Sequence, residues 1–293
     1  MPNTPEINPT FRAGMVAVLG RTNAGKSTLV NALVGRKVSI VTPKPQTTRE
    51  AVQGVVHRPE GQIVFVDTPG FFKTHASALV DKLHQRARRA LDGIDAILHV
   101  VDPTKEIGEE EEMVVAVLAN VPQAKILCLS KSDLDIRPAS DAWRARATGY
   151  KAVIEVSAIN GHGLEELVAA LMKCMPVGQA LYPEDEVTNT SREFAAGELI
   201  REQIYLRMGD EIPYRTRVEI GSIEERKTKL GEPLIAILAT ILVASDRYKA
   251  MVIGAGGQRI RQLNSDSRKE LEHHFGKKVF LDCDVMVDKT ILD

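Results

Sequence analysis

The sequence has no excess of charge of either sign, no paired cysteines and no long apolar run. Lys and Arg total 38 against 39 Asp and Glu, a formal net charge of -1. Attraction of a polyanion by the whole-chain field is thereby excluded, so any nucleic-acid surface has to be local. Cys128, Cys174 and Cys283 are far apart and form no CxxC pair. A disulfide framework and a structural zinc site are not expected, and a reducing compartment fits best. The longest apolar stretch, Leu234 to Ala244, is interrupted by Thr240 and is too short to span a bilayer. The opening MPNTPEINPT has prolines and no apolar core, so it does not read as a signal peptide. The expectation is a soluble, cytoplasmic monomer, at most peripheral at the inner face of the cell membrane.

What is present is globular: 44% hydrophobic and 26% charged residues in a chain of 293, enough for one large domain or two ordinary ones. Residues 1–13 read as a loose tail. Over 14–176, short apolar strands (Met15–Leu19, Ile94–Val101, Ile126–Leu129, Val153–Val156) alternate with helical patterns (Thr28–Val34, Leu79–Leu91, Met113–Leu118, Leu164–Met172). Val52–His57 and Ile63–Val66 read as a hairpin. The alternation implies a mainly parallel sheet with helices on both faces. Residues 177–190 lack periodicity and read as a linker. In 191–293 the order becomes helix, strand, strand, helix, helix, strand. Thr190–Glu193 reads as a capping box. The strands are Arg215–Ile220, Leu234–Val243 and Lys278–Val287, the first two separated by a charged turn that includes Gly231. Ser245 is expected to cap a short helix ending near Ile253. Ile260, Leu263, Ser267, Leu271 and Phe275 line one face of the next.

Gly20-Arg21-Thr22-Asn23-Ala24-Gly25-Lys26-Ser27 matches GxxxxGK[ST], after a buried strand and before a helix that opens with Thr28. Such a loop wraps phosphates with backbone N–H groups, aided by the helix N-terminus. Lys26 would reach the β- and γ-phosphates and Ser27 would bind Mg2+. Asp67-Thr68-Pro69-Gly70 ends the strand Ile63–Val66. Asp67 there can hold the metal through water. Gly70 can offer its N–H to a γ-phosphate and pivot when that phosphate leaves. Ser130-Lys131-Ser132-Asp133 follows another buried strand, and the Asp133 carboxylate can accept both N–H bonds of guanine, a pair that adenine lacks. Ser157-Ala158 can bond the guanine O6 through a backbone N–H. In Gln46-Thr47-Thr48-Arg49, Thr48 can close on Mg2+ when the γ-phosphate is present.

GRTNAGKS, PQTTR, DTPG, SKSD and SA, in this order, resemble a translation-factor-class GTPase, specifically the Era family. The resemblance covers nearly the whole chain. It implies an α/β P-loop GTPase domain over 14–176 and a smaller α+β type II KH domain over 191–293. It further implies slow GTP hydrolysis, and binding of single-stranded RNA near the 3′ end of small-subunit ribosomal RNA during small ribosomal subunit assembly. Against the family pattern Asn-Lys-x-Asp, Ser130 replaces Asn, which predicts a looser base loop with guanine preference kept by Asp133. Phe71 stands where many GTPases carry a water-orienting glutamine. Asn23 resembles the asparagine that in related GTPases helps to hold K+ against the phosphates; a purely structural role is an equal reading.

Gly254-Ala255-Gly256-Gly257 looks like the GxxG turn of a KH domain, where small residues let an RNA backbone approach. Residues 191–293 hold 17 basic and 17 acidic residues, so general attraction is absent. Between 247 and 263, however, Arg247, Lys249, Arg259 and Arg261 meet no acidic residue. These form the candidate RNA contacts, with Ile253 and Ile260 as candidate floor or simple core. Ala255 stands where the family usually has lysine. Glu109–Glu112 reads as an exposed helix start favoured by the dipole. His273-His274 reads as a solvated helix end, and His75, His84 and Arg86 carry no expected role. A metabolic P-loop kinase, an RNA-binding module with a degenerate nucleotide site, and a membrane-associated signalling GTPase remain as alternatives.

Overall fold

A computed structural model of the chain describes residues 10–44, 47, 51–68, 93–209 and 211–292. Gln46, Thr48, Arg49, Pro69, Gly70, Phe71, His75, His84 and Arg86 lie outside the described residues, as do residues 1–9 and all of the expected helix over Leu79–Leu91. The chain divides into two compact units, one comprising Met1–Ser39 with Thr48–Asn189, the other Ile40–Thr47 with Thr190–Asp293.

The first unit is a six-stranded sheet of β1 (Arg12–Leu19), β2 (Val52–Arg58), β3 (Gly61–Asp67), β4 (Ala96–Val101), β5 (Ala124–Leu129) and β6 (Ala152–Glu155). Its strand order is β2-β3-β1-β4-β5-β6, antiparallel only between β2 and β3. The expected tail is therefore too long: Arg12 and Ala13 already belong to β1, and the Arg12 guanidinium donates to the Met175 carbonyl at 2.6 Å. The helices are α1 (Lys26–Val34), α2 (Glu109–Ala119), α3 (Ser140–Ala145) and α4 (Leu164–Met172). α3 had no counterpart in the sequence reading, because a helix of six residues is too short to show a period.

The central strands are apolar at most positions because both faces are covered. Val16, Val18, Phe65, Leu98 and Cys128 pack with Leu29 of α1 and with Leu167 and Leu171 of α4. On the opposite face Ala17, Leu19 and Ile97 pack with Val114 and Leu118 of α2. Truncating Leu29 or Leu171 to Ala would cost about 2–5 kcal/mol. The consequence for the site is positional. The loops after β1, β3, β5 and β6 all leave the carboxyl end of the sheet, where open α/β sheets bind ligands.

The segment 177–190, which reads as a linker, is a strap along the outer edge of β2. Gln62 accepts N–H bonds from Leu181 and Tyr182 and donates to the Tyr182 carbonyl. Val55 N donates to the Val187 carbonyl, and Gln53 N to Asn189. The strap covers an edge strand whose unpaired backbone groups would otherwise invite association. Its bonds run through backbone groups and scattered polar side chains (Gln62, Gln53, His57 and Asn189), so no side-chain periodicity announces them.

The second unit pairs β7 (Thr216–Lys227) antiparallel with β8 (Pro233–Val243), and β8 parallel with β9 (Lys278–Val287). Its helices are α5 (Arg192–Arg207), α6 (Asp246–Ile253) and α7 (Gln258–Phe275). Ile235, Ile237, Ala239, Ile241 and Val243 alternate onto one sheet face, against Leu199, Ile200 and Ile204 of α5 and Leu263 and Leu271 of α7. Three expectations change here. β7 runs to Lys227, so Glu224–Lys227 are strand and not turn. Those side chains are exposed, and their alternation carries no apolar signal. The cap of α5 is Ser191, which accepts from Phe194 N at 3.1 Å, not the Thr190 of the expected box. Ser245 precedes α6 as expected but makes no side-chain cap bond.

The second unit also takes up Ile40–Thr47. Val41 N donates to Glu202 Oε1 at 2.9 Å, Arg201 donates to the Thr47 carbonyl at 2.6 Å, and the Lys44 ammonium donates to the Met208 carbonyl at 2.6 Å. Arg201 and Glu202 are buried. Among the described residues no helix is long and apolar enough to cross a membrane.

Candidate nucleotide site and nucleic-acid interface

The chain leaves β1 at Leu19 and turns at once. A Cβ on Gly20 would lie 2.2 Å from the Val100 carbonyl oxygen, so only glycine lets the loop pass β4 this closely. The loop then enters α1 with Gly25 as N-cap and no side-chain cap bond. The helix N-terminus thus faces the loop with its own N–H groups. The Lys26 ammonium spans the loop, donating to the Gly20 carbonyl at 3.1 Å and the Arg21 carbonyl at 2.9 Å. Burial pushes its pKa down to about 8, against the opposing charge of Asp67. Thr22 and Thr28 are half-buried, Ala24 is buried, and Asn23 is exposed with a left-handed φ of 61°.

Ser27 Oγ donates to Asp67 Oδ2 at 2.7 Å. Asp67 is fully buried, and burial raises its pKa against the Ser27 bond and the Lys26 charge. Its Oδ1 is buried with no hydrogen-bond partner; the Ser39 hydroxyl lies beside the carboxylate but outside bonding geometry. An orphaned carboxylate oxygen beside a serine hydroxyl is a hard, all-oxygen donor set that fits Mg2+. The Thr68 hydroxyl is spent on the Val18 carbonyl at 2.8 Å, which fixes the start of this loop to β1.

The loop after β5 touches the P-loop through Ser130, whose hydroxyl lies 2.8 Å from the Ala24 carbonyl and 2.8 Å from the Val101 carbonyl. Lys131 takes a left-handed φ of 58° and sends its ammonium to Asp102 Oδ2 at 2.6 Å. Asp133 is exposed, and Ser157 Oγ donates to its Oδ1 at 2.6 Å. Ser157 is in turn held by N–H groups of Ile159 and Asn160. Ala158 is half-buried beside it. The structure thus brings Gly20–Thr28, Asp67, Thr68, Ser130, Lys131, Asp133, Ser157 and Ala158 to one end of one sheet.

Two residues near this site escaped the sequence reading. Asp102 follows β4 at a strand end, as Asp67 follows β3, and that likeness was the available signal. It accepts both Thr104 N and Thr104 Oγ1. Burial opposes its charge, but the bonds from Lys131 and Thr104 outweigh it and hold the carboxyl below its usual range. Glu111 is the second. Glu109–Glu112 do open a helix, but Glu111 is buried, not exposed. Its Oε2 accepts Gly108 N, and its Oε1 lies 2.5 Å from Arg21 Nε as an ion pair off the N–H axis. Only the fold brings Arg21 there, so spacing could not reveal it.

In the second unit, α6 ends at Gly254, a 3-10 turn covers Ala255–Gly257, and α7 begins at Gln258 with Gly257 as N-cap. Gly256 has φ 56° and nothing within 4 Å of where a Cβ would be, so the turn is open to solution. Arg259 donates to the Met251 carbonyl at 3.2 Å, and Arg261 to the Gly256 carbonyl at 2.6 Å. Both guanidinium groups are drawn back beside the turn. Gln258, Arg259, Arg261 and Gln262 line an open groove there. Arg247 is exposed and Lys249 half-buried on α6. Ile260 packs on the core, so it is floor only in part. Among the described residues no group of three or more His, Cys, Asp and Glu side chains is placed to hold a metal ion.

Comparison with known proteins agrees with this division. The family model described as a 50S ribosome-binding GTPase matches residues 15–131, and a KH-domain model matches residues 211–290. GTPase Era of Xanthomonas axonopodis pv. citri is 42% identical over 286 residues, covering 96% of this chain and 94% of that protein. GTPase Era of Stenotrophomonas maltophilia is 42% identical over 278 residues, covering 94% and 91%. A crystal structure of Era with MgGDPNP and nucleotides 1506–1542 of 16S ribosomal RNA superposes with a TM-score of 0.84 at 31% identity, covering 95% and 94%. Aquifex aeolicus Era bound to GDP.AlF4- gives 0.83 at 32% identity, covering 94% of each chain. With that likeness over nearly its full length, the chain belongs to the Era family of GTPases.

Proposed function

We propose that this GTPase switches between GTP and GDP at the carboxyl end of its first sheet. Through the glycine turn of its second unit it binds the single-stranded 3′ region of small-subunit ribosomal RNA, and so acts in small ribosomal subunit assembly. The supporting observation is convergence: Lys26, the Ser27–Asp67 pair and the Ser157-held Asp133 meet at one sheet end, and the same chain carries an open glycine turn flanked by arginines. The GTPase model's description names the large subunit. The Era structure holds 16S RNA and matches across both units, so it carries more weight.

In this reading the P-loop amides cradle the phosphates, and Lys26 neutralises charge on the β- and γ-phosphates. Ser27, Thr48 and Asp67 hold Mg2+, which supplies further positive charge there, in keeping with the MgGDPNP of the Era relative. Gly70 follows the γ-phosphate. Water attacks the γ-phosphorus, the bond to the bridging oxygen breaks, and GDP and inorganic phosphate leave. Asp133 selects guanine. Turnover is slow because Phe71 cannot orient water, and the Asn23 carbonyl helps to hold K+ beside the phosphates. Arg247, Lys249, Arg259 and Arg261 contact RNA phosphates around Gly254, Ala255, Gly256 and Gly257.

The test is a titration of the full-length protein with a labelled 3′ fragment of small-subunit ribosomal RNA, in GDP and in a non-hydrolysable GTP analogue. Binding that depends on the nucleotide is expected, with ATP unable to replace GTP. Equal competition by ATP would remove the guanine reading, and absence of RNA binding in both states would remove the ribosomal one.

A further inference from the structure

We infer that Glu111 and Asp102 are positioning residues for guanine recognition, acting through an ion relay that ties the P-loop to the base loop by way of Arg21 and Lys131. The proposal deepens the guanine reading above and rests on it. Its starting point is an insufficiency at Ser130. One hydroxyl proton lies between two carbonyls at equal distance, those of Ala24 and Val101, and can satisfy one at a time. The direct tie between the loops is therefore a single shared proton.

A second tie runs beside it. From the start of α2, Glu111 holds Gly108 N with one oxygen and Arg21 with the other. Arg21 Nη2 reaches Asp102 Oδ2 at 3.6 Å, and the same oxygen accepts the Lys131 ammonium at 2.6 Å. Asp102 is clamped from its other side by Thr104. Glu111 and Asp102 are both buried, and the bases they hold are partly covered, so solvent screens this relay less than a surface pair. Its end point bears strain. Lys131 is a non-glycine residue at φ 58°, a conformation that persists only where surroundings hold it. Ser130 N to the Val101 carbonyl and Ser132 N to the Val156 carbonyl fix the backbone on either side, and Asp102 fixes the side chain. Asp133 is two residues further on. Releasing Lys131 lets this turn relax and moves Asp133 relative to the P-loop, while the P-loop itself keeps its glycines and Lys26.

That distinction sets the test. Calorimetry on the full chain in Mg2+ would compare GDP, which uses both loops, with inorganic pyrophosphate, which uses the P-loop alone. Asp102→Asn keeps the Thr104 acceptor and loses the charge facing Lys131. Glu111→Gln keeps an acceptor for Gly108 N and loses the charge facing Arg21. GDP affinity should fall about tenfold in Asp102→Asn and a few-fold in Glu111→Gln, in the range of couplings within one ion-pair network. Pyrophosphate affinity should change less than about twofold. The double variant should bind GDP no worse than Asp102→Asn, because both cut one relay. Equal losses for GDP and pyrophosphate, unchanged GDP affinity, or additive losses would each overturn the relay. Asp133→Asn is measured alongside. Unchanged GDP affinity there would defeat the guanine reading itself, whereas loss there with no effect in the two relay variants would defeat the relay alone.

Discussion

Two of the glycine turns that open helices among the described residues are built in opposite ways. Gly20–Ser27 is pressed against β4, spanned by the buried Lys26 and tied to the base loop by Ser130. Gly254–Gly257 stands in the open, with free space beside Gly256 and arginines folded back along its sides. Both lead into a helix whose N-cap has no side-chain bond, so each presents N–H groups to an anion. The difference is in what surrounds them. A buried, cross-tied loop holds one geometry and suits one small ligand whose phosphates must be placed for reaction. An exposed turn leaves the ends of its groove open, and a polymer can pass through.

The comparison can be broken or sharpened by substitution. The largest effect is expected from Lys26→Ala, which removes the charge that spans the closed loop. GTP turnover should fall about 100- to 1,000-fold in a phosphate-release assay, and RNA binding should lose its dependence on the nucleotide. Asp133→Asn should weaken GTP roughly 100-fold and improve xanthosine triphosphate, because xanthine places an acceptor where guanine has its amine. Competition against fluorescent GDP reads both. In the open turn, Gly256→Asp should lower RNA affinity about tenfold or more while GTP hydrolysis is unchanged. An Asp side chain there meets no neighbour and Asp is among the residues that visit the left-handed region, at the cost of some backbone strain, so unchanged GTP hydrolysis and an unchanged melting profile are measured alongside the anisotropy. Arg259→Ala should weaken RNA binding less, and should lower the salt dependence by about one ion's worth. The smallest effect is expected at Asn23: turnover in K+ should modestly exceed that in Na+ at constant ionic strength, and equal rates would remove the ion without touching the GTPase.

Much of this was legible in the chain because its signals are local. A P-loop requires its glycines, lysine and serine at fixed spacing, and Asp67, Ser130–Asp133 and Ser157 follow apolar strands. The parallel sheet announced itself through strands that are mostly apolar, and β9 begins and ends where the pattern says it should. The misses share a cause. The strap over 177–190 is held by backbone groups and scattered polar side chains such as Gln62 and Gln53, the charged end of β7 by its ladder and the ion pairs of Glu225, and α3 is too short to show a period. None of these leaves a mark in side-chain hydrophobicity.

The sequence by itself determined the two-unit order, the phosphate loop, the Ser130–Asp133 loop after an apolar strand and the glycine turn, since each depends on residues close together along the chain. Only the tertiary structure decided which distant groups meet. It turned Glu111 from an exposed helix start into the partner of Arg21, and it let Ser130 reach the Ala24 carbonyl despite its short side chain. It also gave Ile40–Thr47 to the second unit through Arg201 and Glu202. The physical reason is the same in each case. A charge or hydroxyl is stabilised in a buried place by whatever partner the packing brings within reach, and the distance along the chain carries no record of it.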